Sequence, residues 1–115
     1  MSLKPSIDSN DHFQGGDKAS IEIVEFGDYQ CPHCGAAYPI VKETQENFGK
    51  QIKFVFRNFP LSESHQYAQI AALAAEAAAL QNKFWEMHDA IYERQSHLSE
   101  GFLKKLAKEL DLDID

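Results

Sequence analysis

The chain has 115 residues, enough for one domain with one modest core. Its 43% apolar and 25% charged residues are an ordinary globular balance, which argues against disorder and low-complexity repeats. Eleven basic residues against 18 acidic ones leave a net charge of −7, which repels phosphate and so excludes nucleic acid and anionic membrane surfaces as expected partners.

Residues 1–18 read as a loose polar lead-in and 19–115 as the domain. The lead-in has no apolar block of the kind a secretory signal needs. As it stands the chain reads as cytoplasmic, or as periplasmic or otherwise extracytoplasmic if a leader has been removed. The stretch 20–26 (SIEIVEF) is rich in β-branched residues and is bounded by Gly27, which predicts a strand. Ile21, Ile23 and Glu25 share one face, read as interior, and Glu22, Val24 and Phe26 the other. From Pro32 a helical period takes over through Ala37, Ile40, Val41, Thr44 and Phe48, with Gly49 as its stop. Pro32 stands in the first turn, where its missing amide costs nothing, whereas Pro39 inside the helix is expected to kink it.

Residues 52–57 alternate Ile52, Phe54, Phe56 against Lys53, Val55, Arg57 and predict a second strand. Strand, helix and strand over 19–60 form a βαβ unit, with parallel strands and a right-handed crossover. The remainder, 61–115, is helical. Ile70, Leu73, Ala77, Leu80, Phe84, Met87 and Ile91 recur in steps of three and four and predict one buried stripe. Asn82 divides it into helices near 64–80 and 83–95. Ser99 caps a last helix that buries Phe102, Leu103, Leu106 and Leu110. The longest apolar stretch, 68–80, falls short of the ~20 residues of a spanning helix, so no membrane insertion is expected. Two parallel strands alone leave two open edges. A strand hidden in 10–19, a partner chain held by dimerisation or domain swapping, or chain beyond this stretch would complete the sheet.

The chemistry concentrates at Cys31 and Cys34, spaced as Cys-Pro-His-Cys. Cys31 follows a strand and opens a helix, where free amides and the helix dipole favour a thiolate, the attacking species in disulfide exchange. Cys34, one turn further in, faces the same side. Pro32 stiffens the turn, and a proton or hydrogen bond from His33 adds to the stabilisation of the thiolate. A stabilised reduced form makes the disulfide the stronger oxidant. Glu25, six residues before Cys31, is either a buried acid that moves a proton to or from Cys34 or a solvated residue at a frayed strand end. A structural disulfide closing so small a loop contributes only about 2 kcal/mol. A zinc site within one chain lacks a second Cys-x-x-Cys, and His12, His65, His88 and His97 lack ligand spacing. Redox chemistry therefore leads. A non-catalytic interaction module and a metal-bridged oligomer, with Cys31 and Cys34 from two chains, stand as alternatives.

The segment 26–39, FGDYQCPHCGAAYP, resembles the active-site stretch of the DsbA-like thiol–disulfide oxidoreductases of the thioredoxin superfamily. HFQGGDKASIEIVEFGDYQCPHC before it, and RNFPLSESHQYAQIAALAAEAA and QNKFWEMHDAIYERQ after it, extend the resemblance over about residues 12–110. It implies an α/β thioredoxin-like fold, a βαβ unit followed by a helical insertion, cut short before the family's cis-proline loop and C-terminal hairpin. It also implies Cys31 as nucleophile, Cys34 as resolving thiol, Pro32 and His33 as the tuning pair, and Glu25 as the buried acid. The redox group would be the Cys31–Cys34 disulfide, with no dissociable cofactor and no metal. The partners would be protein thiols or disulfides and a redox partner protein. Phe84, Trp85 and Met87 would fill the core of the inserted helices, with His65 and His88 structural.

Overall fold

The strand-forming residues build three strands in the computed structural model, which describes residues 6–61 and 63–112: β1 (His12–Gly15), β2 (Ile21–Gly27) and β3 (Ile52–Asn58). The order is β1–β3–β2, with β3 in the centre. β2 runs parallel to β3, Ile21 opposite Ile52 and Gly27 opposite Asn58. β1 runs antiparallel to β3, His12 opposite Phe56. The hidden strand is therefore present, and the loose lead-in expected over 1–18 is structured where it contains β1. Its sequence, His-Phe-Gln-Gly, has too little alternation to announce a strand. Tertiary contacts hold it instead. Lys53 Nζ lies 4.5 Å from the centre of the Phe13 ring and 3.1 Å from Asp17 Oδ1, and the Gly16 amide donates to the Ile52 carbonyl at 3.0 Å.

Helix α1 (Pro32–Phe48) is the crossover that a parallel pair requires. After β3 come α2 (Ala68–Ala79), α3 (Phe84–Glu93) and α4 (Glu100–Glu109). Asn82 sits at φ 62 between α2 and α3, the left-handed break its residue type predicted. The Ser99 side chain accepts from the Phe102 amide at 3.1 Å, as a cap should. α2 begins at Ala68 rather than near 64, because residues around 64 and 67 form turns. Among the described residues no helix is long and apolar enough to cross a membrane.

The core lies between the sheet and the helices. Tyr29, Val55, Phe56, Met87, Ile91 and Leu106 are its largest fully enclosed side chains. Phe84 and Met87 are buried in it as expected, with Trp85 packed at its margin. The apolar stripe is corrected in α2. The buried side is Ala68, Ala71, Ala72, Ala75 and Ala78, while Leu73 is 60% and Leu80 89% exposed. Alanines let backbones approach closely, so the small-residue face packs inward and the leucines stay outside. α1 uses Cys34, Tyr38 and Val41 against the core and leaves Ile40 and Phe48 exposed. Ile21 and Ile23, read as interior, are exposed as well, since among the described residues β2 stands at the edge of the sheet, paired only with β3.

Candidate active site

The site begins where β2 ends. A Cβ on Gly27 would overlap the Phe56 ring, so glycine alone lets the chain pass over that ring. The next residue, Asp28, is 3% exposed and organises the loop with both carboxylate oxygens. Oδ1 accepts from the Gln30 amide at 2.8 Å, while Oδ2 accepts from the Leu61 amide at 2.9 Å and pairs with His65 Nδ1 at 2.7 Å. Gln30 Oε1 in turn accepts from the Tyr67 amide at 2.6 Å. The segment after β3 is thereby tied to the loop before α1. Burial alone would raise the Asp28 carboxyl, but the His65, Leu61 and Gln30 hydrogen bonds outweigh it and hold it below the usual range.

Cys31 is the N-cap of α1, with φ −68 and ψ 124, and Pro32 occupies the first turn. The Cys31 amide donates to the Asp28 carbonyl at 3.1 Å, and the Gly35 amide closes the first helical turn on the Cys31 carbonyl at 3.0 Å. The amides of His33 and Cys34 consequently lack intrahelical acceptors at the point where the cap side chain sits. Both cysteines are free thiols and half-buried. Burial pushes the Cys34 thiol up, opposed by the Asp28 backbone and reinforced by the neighbouring Cys31. Burial thus favours the protonated form of Cys34.

Glu25 lies on β2 opposite Phe56, well inside the strand rather than at a frayed end. Burial raises its carboxyl, and among the described residues no cation pairs with it. Its field reaches Cys34, and it also helps to hold the Tyr29 and Tyr92 hydroxyls protonated after burial has done most of that. Pro32 and His33 are exposed beside the cysteines. His65 serves Asp28, and His88 is enclosed by rings, its centroid 4.6 Å from Phe56 and 4.9 Å from Trp85. Burial depresses His88 despite Asp89 at 2.9 Å.

The expected residues thus converge, with Cys31, Cys34, Pro32 and His33 at one helix end and Glu25 on the adjoining strand. Sequence reading missed Asp28, Gln30 and Gln95. Asp28 had a local signal, an Asx turn straight after a glycine. Gln95 had none, yet its Nε2 donates to the carbonyls of Tyr29 and Cys31, both at 2.8 Å.

A family profile described as thioredoxin matches residues 8–115. The "thiol-disulfide exchange protein alpha-DsbA2" of Wolbachia pipientis superposes with a TM-score of 0.80 at 25% identity, over 92% of this chain and 56% of that one. Oxidised BdbD of Bacillus subtilis does so with a TM-score of 0.74 at 31% identity, over 90% and 60%. Among curated sequences, Na(+)/H(+) antiporter NhaA 1 of Salinispora arenicola is 45% identical over 98% of this chain, which spans 17% of that protein.

Proposed function

The chain belongs to the thioredoxin family, in its DsbA-like branch, and we propose on that footing that it exchanges disulfides with protein thiols through Cys31 and Cys34. The observation that carries the reading is the placement of Cys31 as N-cap of α1, entered from β2 by a three-residue loop, with Cys34 one turn inside. In the oxidising direction a substrate thiolate attacks the Cys31 sulfur. The Cys31–Cys34 bond breaks, and its electron pair leaves on Cys34, which takes up a proton. A second substrate thiolate then attacks the substrate sulfur bonded to Cys31, forms the substrate disulfide and expels Cys31 as thiolate. The substrate dithiol loses two electrons, which the cysteine pair gains, and two protons, of which one ends on Cys34 and the other goes to solvent while Cys31 remains a thiolate. The reverse direction starts with attack by Cys31 on a substrate disulfide and ends with Cys34 resolving the mixed disulfide.

Glu25 suits the proton step. Among the described residues no cation pairs with its carboxyl, which is raised by burial and acts electrostatically on Cys34. Pro32 and His33 set the poise of the pair, and the partners are protein dithiols or disulfides. The test is a pair of variants assayed against a reduced, unfolded protein. Cys31→Ser abolishes exchange, and Cys34→Ser accumulates a mixed disulfide through Cys31. Equal residual activity in both would remove the assigned roles. One zinc bound per two chains, lost in either variant, would replace the enzyme with a metal-bridged dimer.

A further inference from the structure

We infer that Gln95 is a positioning residue for the reactive sulfur, holding the Cys31 backbone so that its side chain stays over the open end of α1; this rests on the exchange function proposed above. Gln95 opens the 3-10 turn Gln95–His97 that follows α3, 64 positions from Cys31 along the chain. A primary amide has two protons on nitrogen, and both are used. One goes to the Tyr29 carbonyl and the other to the Cys31 carbonyl, each at 2.8 Å. The Cys31 carbonyl then accepts twice, from Gln95 and from the Gly35 amide at 3.0 Å. Two carbonyls of one short loop are pinned by a single side chain from the inserted helices.

A second observation points to the same contact. Gly35 lies in the first turn of α1, where alanine is the better helix former. A Cβ on Gly35 would overlap the Gln95 amide, whose oxygen and carbon fill that space. The glycine is what admits the glutamine. The consequence is chemical, because carbonyl oxygens are the negative ends of their dipoles. Held by Gln95, they stay engaged. Released, they are free to turn, and the Cys31 backbone loses its fixed place as N-cap of α1. The reduced form loses stabilisation and the disulfide gains relative to it.

The experiment uses the intact chain and reads Cys31 directly. Alkylation of the reduced protein by iodoacetamide at pH 7 is followed by peptide mass spectrometry, so that Cys31 and Cys34 are scored separately. In Gln95→Leu, Cys31 alkylation slows about fivefold and the equilibrium with glutathione moves about fivefold toward the disulfide, the factor of one ordinary hydrogen bond. Gln95→Glu, which keeps the shape but presents an acceptor to the two carbonyls, shifts both readouts at least as far and serves if the leucine variant does not fold. Gly35→Ala gives the same defect, and Gly35→Ala in a Gln95→Ala background costs less than the sum of the two single changes. Unchanged alkylation and glutathione equilibrium in the Gln95 variants would overturn the inference, even if their melting temperatures fell. Additive effects of Gly35→Ala and Gln95→Ala would overturn it too. A wild-type chain that neither oxidises protein thiols nor reduces protein disulfides sinks the proposed function, while the alkylation comparison still decides the role of Gln95.

Discussion

Glu25 and Asp28 are two carboxylates three positions apart whose surroundings push them in opposite directions. Burial raises Glu25, whereas hydrogen bonds from His65, Leu61 and Gln30 overcome burial and lower Asp28. The signs differ in their effect on stability. A raised carboxyl binds its proton more tightly in the folded state. Its favourable contribution is full below the unfolded value of about 4.3 and is lost as pH rises through the folded value. Glu25→Gln should therefore gain stability relative to the wild type as pH climbs through the weakly acidic range, as chemical denaturation at a series of pH values would show. The same variant should slow resolution of a mixed disulfide by about 100-fold in rapid-quench measurements, the lower end of a proton-transfer contribution. Asp28 behaves inversely, since its contribution is present above about pH 3.9 and lost as pH falls through its depressed folded value. In Asp28→Asn the acid limb of the stability curve should flatten, and a limb of unchanged slope would show that His65 contributes nothing through this carboxylate.

At the scale of elements, the site is assembled by two tethers from the helical insertion onto one short loop. His65 and Tyr67, just before α2, reach Asp28 and Gln30, and Gln95, just after α3, reaches Tyr29 and Cys31. The inserted helices do more than cover the sheet, because they fix the approach of the chain to α1. α4 stands apart from these tethers and is set by its cap. Ser99→Ala should cost about 1 kcal/mol in equilibrium unfolding, the usual worth of a serine cap, while leaving the alkylation rate of Cys31 at its wild-type value. A changed alkylation rate would mean that α4 supports the site through α3. The boundaries of α1, β2 and β3 followed from local residues: Gly27, Pro32 and Gly49 act within one turn of their own positions. β1 was foreseen only as one way to close the sheet, a strand within 10–19, because its pairing with β3 is made across about forty residues and no local pattern encodes it.

In the whole molecule, the core sits under Phe54 and Phe56 on one side of β3, closed by the alanine face of α2 and by Met87, Ile91 and Leu106. Phe56→Ala should destabilise by about 3–5 kcal/mol, and Leu80→Ala, on an 89% exposed residue, by about 0.5 kcal/mol or less. A large loss at Leu80 in urea titration would place the core elsewhere. Periodicity marked that leucine as buried because the pattern of spacing registers hydrophobicity and not the approach distance between helices. It misplaced Ile21 and Ile23 for a related reason, since alternation identifies a face but not whether anything lies against it. By itself the sequence determined the βαβ order, the helix stops, the cap at Ser99 and the cysteine pair at a helix start, all governed by interactions within a few residues. Only the tertiary structure decided the third strand, the alanine face and the hold of His65 and Gln95 on the active-site loop. Those depend on groups far apart in the chain, whose meeting is fixed by packing and by the need to pair buried polar atoms.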